Sequence, residues 1–171
     1  SNEDFKILGL NKTILSKYSN IIIKTVANNK IKDKSFLLFN LNSNQKILLI
    51  KLKNKNSSLE NERLGAEFYD YIKNSSIFNL TFLSENIKSI EDKSENFIDE
   101  FFHGTQLKSY EFNKYKTKKK NYLFDINILD KKNFLKFKEN KKFNSLIKGI
   151  NFTKDLVSEP GNILHPDEYA K

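Results

Sequence analysis

A chain of 171 residues with 38% hydrophobic and 13% aromatic content can bury a core, which excludes a disordered chain. It has no cysteine, which excludes a disulfide scaffold and any thiolate metal site. Its net charge of +9 keeps acidic partners such as nucleic acid in view.

The predicted elements run as follows. Residues 5–10 and 21–26 read as strands, the second β-branched and bounded by Asn-rich turns. Strands at 36–41 and 46–52 flank Asn42-Ser-Asn-Gln45, a spacing that predicts a hairpin. Ser57-Ser-Leu-Glu60 is a capping-box signature. It opens a helix whose Leu64, Phe68, Tyr71 and Ile72 share one face, with Gly65 and Ala66 small enough for close approach to a sheet. A strand is expected at 77–83. A long helix follows over 92–115, with Phe97, Ile98, Phe101, Phe102, Leu107 and Phe112 forming an apolar band. Another strand is expected at 122–129. The last helix carries Phe143, Leu146, Ile147, Ile150 and Val157 at three- and four-residue steps. Glu159-Pro-Gly-Asn162 must break it, because Pro160 pushes its predecessor to extended geometry and Gly161 accepts a left-handed turn. Pro166, followed by Asp167 and Glu168, predicts a new helix start.

This order predicts an α/β fold, a mixed sheet flanked by helices on both faces. Leu64, Phe68, Ile72, Phe101, Phe102, Leu146, Ile147 and Ile150 are the expected core. The longest apolar runs, 36–39 and 47–50, are far too short to span a bilayer, and no signal-peptide pattern is present. A cytoplasmic location and no membrane partner are therefore expected. Ser1-Asn2 are expected to be a tag remnant. The stop at Lys171, within the first turn of a new helix, predicts a longer protein.

Candidate sites are few. Asp99, Glu100 and His103 share one helical turn at metal-ligand spacing, but no further cluster completes a site, so an ordinary helix-surface acid–His pairing is the stronger reading. His165 precedes Pro166 and reads as a loop residue. Lys114, Lys116, Lys118, Lys119 and Lys120 surround Tyr115 and precede Tyr122; basic residues interleaved with aromatics can bind single strands. Lysines also suit a helix C-terminus and the solvated loop beyond it, and that reading is favoured. Arg63 is the sole arginine, whereas phosphate readers usually exploit the arginine fork. Abundant Lys, Asn, Ile and Phe together are what an AT-biased genome produces, which favours composition as the source of the charge. No Gly-x-Gly phosphate turn, Gly-x-Ser-x-Gly elbow or His-Glu-x-x-His helix is present.

Two stretches carry a family resemblance. Lys154-Asp-Leu-Val-Ser-Glu-Pro-Gly-Asn-Ile-Leu-His-Pro-Asp-Glu-Tyr-Ala170 resembles the segment joining the two domains of leucyl aminopeptidases, the cytosol aminopeptidase family. His165 stands where that family usually has Thr. Gly104-Thr-Gln-Leu-Lys-Ser-Tyr-Glu-Phe-Asn-Lys-Tyr-Lys-Thr-Lys118 is similar to a pattern in the family's N-terminal domain. The first hundred residues resemble it only in rhythm.

The resemblance implies a macrodomain-like N-terminal, non-catalytic domain at 1–158 and, at 159–171, the start of a linker to a C-terminal catalytic domain. It implies a full-length metallo-exopeptidase that removes N-terminal residues, preferably leucine, from peptides. It further implies two bridging divalent metal ions, usually zinc and sometimes manganese or magnesium, and a homo-hexamer. The family's metal-binding motif is absent here, so no catalytic residue and no metal ligand is assigned to this chain, and the fragment alone is expected to be inactive. The implied role is structural, in packing and assembly. The alternatives are a nucleic-acid-binding module and a domain binding an ADP-ribose-type ligand; the missing Gly-rich loop argues against the second.

Overall fold

A computed structural model describes residues 7, 15–28, 34–53, 56–75, 79–83, 97–117, 125–130, 133–136, 140–161 and 163. Among them are a short 3-10 turn at Ser16–Tyr18, four α-helices and five strands. The helices are α1 (Ser19–Asn28), α2 (Ser58–Asn74), α3 (Phe97–Ser109) and α4 (Lys141–Ser158). The strands are β1 (Phe36–Asn40), β2 (Lys46–Ile50), β3 (Asn79–Leu83), β4 (Asp125–Asp130) and β5 (Asn133–Lys136). The α/β class is as expected. The described strands, however, form two small sheets, β1-β2 and β3-β4-β5, in place of one mixed sheet. The chain divides into two compact units: 1–56 with 81–95 and 127–135, and 57–80 with 96–126 and 136–171.

In the first unit β1 and β2 pair antiparallel, with Phe36 opposite Ile50 and Asn40 opposite Lys46. The expected hairpin is present. Its loop closes through the Leu41 amide donating to the Gln45 carbonyl at 2.8 Å and the Asn44 amide donating to Asn42 Oδ1 at 3.0 Å. The segment expected as a strand at 21–26 is instead part of α1. Its β-branched residues favour a strand locally, but Tyr18, Ile22 and Val26 recur every four residues and pack with Ile47, Phe39 and Leu49. Thr25 donates its hydroxyl back to the Ile21 carbonyl at 2.8 Å, as helical threonines do. Burying Ile22 completely outweighs the propensity of its neighbours. The strand expected at 5–10 lies outside the described residues, apart from Ile7.

The second unit is built on α2 and α3. Ser57 caps α2 as expected: its hydroxyl accepts from the Glu60 amide, and the Glu60 carboxylate accepts from the Ser57 amide at 2.9 Å. Leu64, Phe68, Tyr69 and Ile72 of α2 are buried with Phe97, Phe101 and Phe102 of α3. Tyr69, rather than Tyr71, completes the face. The Phe101 ring lies 5.0 Å from Phe68, 5.8 Å from Phe97 and 5.4 Å from Phe102. Each such ring contributes about 1.5–3 kcal/mol on leaving water.

Gly65 and Gly104 set the distance between these two helices. A Cβ on Gly65 would stand 1.8 Å from the Phe101 carbonyl oxygen, and one on Gly104 would stand 1.9 Å from the Glu62 carbonyl oxygen. The close approach expected of Gly65 is therefore to a helix, not a sheet. Thr105 reinforces it, donating its hydroxyl to the Gly65 and Phe101 carbonyls at 3.1 and 3.0 Å.

Helix α3 ends at Ser109, short of the expected residue 115, and two of its last carbonyls are satisfied by side chains. Ser109 Oγ donates to the Gln106 carbonyl, and Lys154 Nζ donates to the Leu107 carbonyl at 3.0 Å. Helix α4 is capped by Asn140, whose side chain accepts from the Lys142 amide, and it ends before Glu159, which is extended at φ −66° and ψ 137°. The expected break at Glu159-Pro160 is thus in place. No residue of α4 is buried, and Leu146, expected in the core, is 44% exposed; Ile147 and Ile150 are only half-buried. Periodicity placed them on one face, but α3 covers only part of that face. The strand expected at 77–83 is present from Asn79 and the one at 122–129 from Asp125, while β5 was not anticipated.

Candidate functional site

The acid–histidine set on α3 does not converge on one point. The Glu100 carboxylate is buried and accepts from Ser58 Oγ at 2.5 Å and Asn61 Nδ2 at 2.7 Å, both on α2. His103, 5% exposed, places Nδ1 2.9 Å from Glu62 Oε1, and its ring lies 4.7 Å from that of Phe143 on α4. Its Nε2 is enclosed and has no hydrogen-bond partner. Asp99 turns to the α4 cap, accepting from Asn140 Nδ2 at 2.9 Å. Three polar side chains on one turn thus face different partners: Glu100 and Asp99 accept, and His103 meets the Glu62 carboxylate. They fasten α3 to α2 and α4, and they do not fit a shared metal ion. Among the described residues no group of three or more His, Cys, Asp or Glu is placed to hold one. The hydroxyls of Ser58 and Thr105 are likewise engaged in joining α2 to α3.

A second cluster lies where the chain leaves α3 and where α4 ends. Tyr110 donates its phenol to Asp155 at 2.7 Å, and Lys154 Nζ sits 5.0 Å from the centre of the Tyr110 ring. One step further, Lys114 Nζ and the Tyr115 phenol both donate to the Glu159 carboxylate. The Glu159 side chain is 8% exposed, although Lys114 and Tyr115 themselves face solvent. Glu111 pairs with Lys73, at the end of α2, at 2.8 Å. So 107, 110 and 114–115 meet 154, 155 and 159 in the same order along both segments.

The electrostatics follow from these bonds. Lys114 first, and then Tyr115, hold the Glu159 carboxyl below the usual carboxylate range. The same bond to Glu159 raises Lys114 and Tyr115. Tyr110 is raised by desolvation first and by its bond to Asp155 second. Glu111 is lowered by its bond from Lys73. These shifts stabilise the ionic forms of the acids and the protonated forms of the phenols. None leaves a group poised for proton transfer near neutrality.

Of the lysines singled out as nucleic-acid contacts, Lys114 is bonded to Glu159, and Lys116 is exposed in the same turn. Lys118, Lys119 and Lys120 lie outside the described residues, as does His165. Sequence reasoning missed Tyr110, Asp155 and Glu159 as a set. Pairs 44–45 residues apart have no local signature. The only available signal was that all three sit inside the two motif stretches.

No helix among the described residues is long and apolar enough to cross a membrane. No protein-family model matches the chain. Several curated proteins are similar to it. A probable cytosol aminopeptidase of Phytoplasma mali is 38% identical over 86 residues, 47% of this chain and 17% of that protein. One from Rhodopseudomonas palustris is 37% identical over 75 residues, 40% of this chain and 14% of its own. One from Persephonella marina is 30% identical over 91 residues, 52% and 18% respectively. The chain thus spans less than a fifth of the length of these relatives. These matches, over 40–52% of the chain, support a similarity to the leucyl aminopeptidase (cytosol aminopeptidase) family.

Proposed function

We propose that this chain is the N-terminal, non-catalytic region of a metal-dependent leucyl aminopeptidase, with a structural role in packing and assembly. The observation that carries the reading is the meeting of the two family-like stretches in one hydrogen-bonded ladder. Residues shared with an aminopeptidase pattern are here committed to holding helices together, as expected of a scaffold rather than a reaction centre. In the complete protein two divalent ions, zinc or manganese, would be held by residues of a C-terminal catalytic region and would supply Lewis-acid chemistry for water activation and carbonyl polarisation there. Asp99, Glu100 and His103 do not fit such a pair, so no step of the reaction is assigned to this chain. Peptide substrate, a hexameric assembly, a macrodomain-like fold and a cytoplasmic location belong to the same proposal.

The nucleic-acid reading loses ground because Lys114, the first of its lysines, is already neutralised by Glu159.

The test is turnover of leucine p-nitroanilide with added zinc or manganese, against a chelator-treated blank. Residues 1–171 are expected to be inactive and the complete protein active. Removing residues 1–158 is expected to change the mass of the assembly by light scattering. Metal-dependent turnover by residues 1–171 alone would overturn the proposal.

A further inference from the structure

Two polar side chains, Lys114 and Tyr115, converge on the residue just past the end of α4. Glu159 is the first residue past Ser158, and its amide still donates to the Asp155 and Leu156 carbonyls. Its backbone then turns extended, and Pro160 forbids a return to helix. At this hinge the carboxylate is drawn onto Lys114 and Tyr115, which sit in a turn just past α3. That turn is held in its own right: the Lys116 amide donates to the Asn113 carbonyl, and the Phe112 ring stacks edge-on at 5.8 Å from Tyr115. One turn earlier the Tyr110–Asp155 and Lys154–Leu107 bonds fix the end of α4 against the same segment.

These contacts do little for the core. They lie at the margin of the fold, with Lys114 and Tyr115 facing solvent, and α4 needs none of them to form its own hydrogen bonds. What they determine is direction. A chain leaving a helix through an extended residue is free to pivot about ψ of that residue and of those beyond it. Tying the Glu159 side chain to a fixed turn removes that freedom at its origin.

We propose that Lys114, Tyr115 and Glu159 form a latch that fixes the direction in which the chain leaves α4. It rests on the reading above, in which that exit leads to the catalytic region. The three are positioning residues: they touch no substrate, and they set where the following region begins. With the Glu159 carboxyl depressed and the Tyr115 phenol raised by these contacts, the acid is ionised and the phenol protonated through the neutral range, the forms that both bonds require.

The test uses the complete protein. Amide hydrogen exchange is followed in peptides covering 155–163, together with the rate of thermolysin cleavage within 159–171. Glu159→Ala is expected to speed both by about two- to fivefold while exchange over 57–109 stays unchanged. Tyr115→Phe removes one of the two bonds and is expected to fall between. Lys114→Glu and Glu159→Lys should each open the latch, and the double charge swap should return exchange toward the starting rate. A purely local loss of side-chain packing would not be rescued by the swap. Unchanged exchange in Glu159→Ala, or a swap no better than the single reversals, overturns the latch. Leucine p-nitroanilide turnover by the unaltered complete protein is the separate check. Its absence would sink the aminopeptidase reading and leave the exchange result to decide the latch on its own.

Discussion

Helices α2 and α4 both show an apolar face at helical spacing, and they end up in opposite situations. Helix α2 buries Leu64, Phe68, Tyr69 and Ile72 against α3, whereas α4 buries nothing, and its Leu146, Phe152 and Val157 are 44, 64 and 78% exposed. The difference lies in what faces them. Helix α2 meets a partner stripped to glycine at Gly104, and Gly65 reciprocates, so the two backbones touch. Helix α4 is held at its two ends by polar groups: Asn140 to Asp99 at the start, and Asp155 and Glu159 at the finish. One helix is fixed by packing, the other by its ends.

Glycine substitutions separate the two regimes most sharply. Gly104→Ala drives a methyl into the Glu62 backbone carbonyl, which cannot move without moving α2. A loss of about 3 kcal/mol or more is expected, at the upper end of overpacking costs. Urea denaturation of the variant checks it; a loss below about 1 kcal/mol would mean that α2 and α3 can slide apart cheaply.

The helix start of α2 comes next. Ser57→Ala removes the side-chain acceptor of the Glu60 amide and half of the capping box, and about 1 kcal/mol should go with it. Restoration by Ser57→Asp or Ser57→Thr, seen in the thermal midpoint, would tie the loss to the cap.

The opposite sign is expected at Gly149 of α4, where an added Cβ meets no atom within 4 Å. Gly149→Ala should stabilise by about 0.5–1 kcal/mol, because the unfolded chain loses freedom and nothing in the fold is displaced. Two identical changes, at residues 104 and 149, would then move the midpoint in opposite directions. A destabilising Gly149→Ala would show that this side of α4 is covered.

These outcomes mark where the sequence was legible. The capping box at Ser57, the hairpin around Asn42–Gln45, the face of α2 apart from the exchange of Tyr69 for Tyr71, and the stop at Glu159-Pro160 all follow from residues within a few positions of one another, and local rules captured them. Helix α1 was misread because three consecutive isoleucines favour a strand locally, while the decision belonged to Ile47 on the hairpin. Gly65 was recognised as a close-approach residue, but its partner was not, since helix and sheet both demand a missing Cβ. Leu146 was placed on the correct face and wrongly in the core: spacing says which residues share a side, not what covers it. The Lys114–Tyr115–Glu159 set was illegible because its members lie 44–45 residues apart, joined only by the fold.

The end of α4 should also respond to pH, weakly because Lys114 and Tyr115, the partners of Glu159, face solvent. Glu159 is depressed in the fold, so its contribution is present above the carboxyl's unfolded value and is lost as pH falls through the lower, folded one. Tyr115 is raised, so its contribution is present below the unfolded phenol value and fades as pH rises through the folded one. The stability of the unaltered protein, compared with Glu159→Gln across acid and alkaline pH, should show both edges flatten in the variant. Identical slopes would mean that solvent at Lys114 and Tyr115 screens the latch too well for it to matter.

The smallest effect is expected at Val157, and it bears most directly on the contrast between the helices. Val157 sits in the last full turn of α4 and is 78% exposed. Serine and valine have nearly equal helix propensities, so Val157→Ser changes polarity with little change in backbone preference. With three-quarters of the side chain already in water, little apolar burial remains to lose, and the expected change is within about 0.5 kcal/mol. The same polar substitution on α2, at Ile72, removes a completely buried side chain and leaves a hydroxyl without water, which should cost about 3 kcal/mol or more. The ratio of the two losses, read from urea midpoints at constant slope, measures how differently the two apolar faces are used. A loss at Val157 above about 1 kcal/mol would place α4 in the same class as α2 and remove the distinction between a helix fixed by packing and one fixed by its ends.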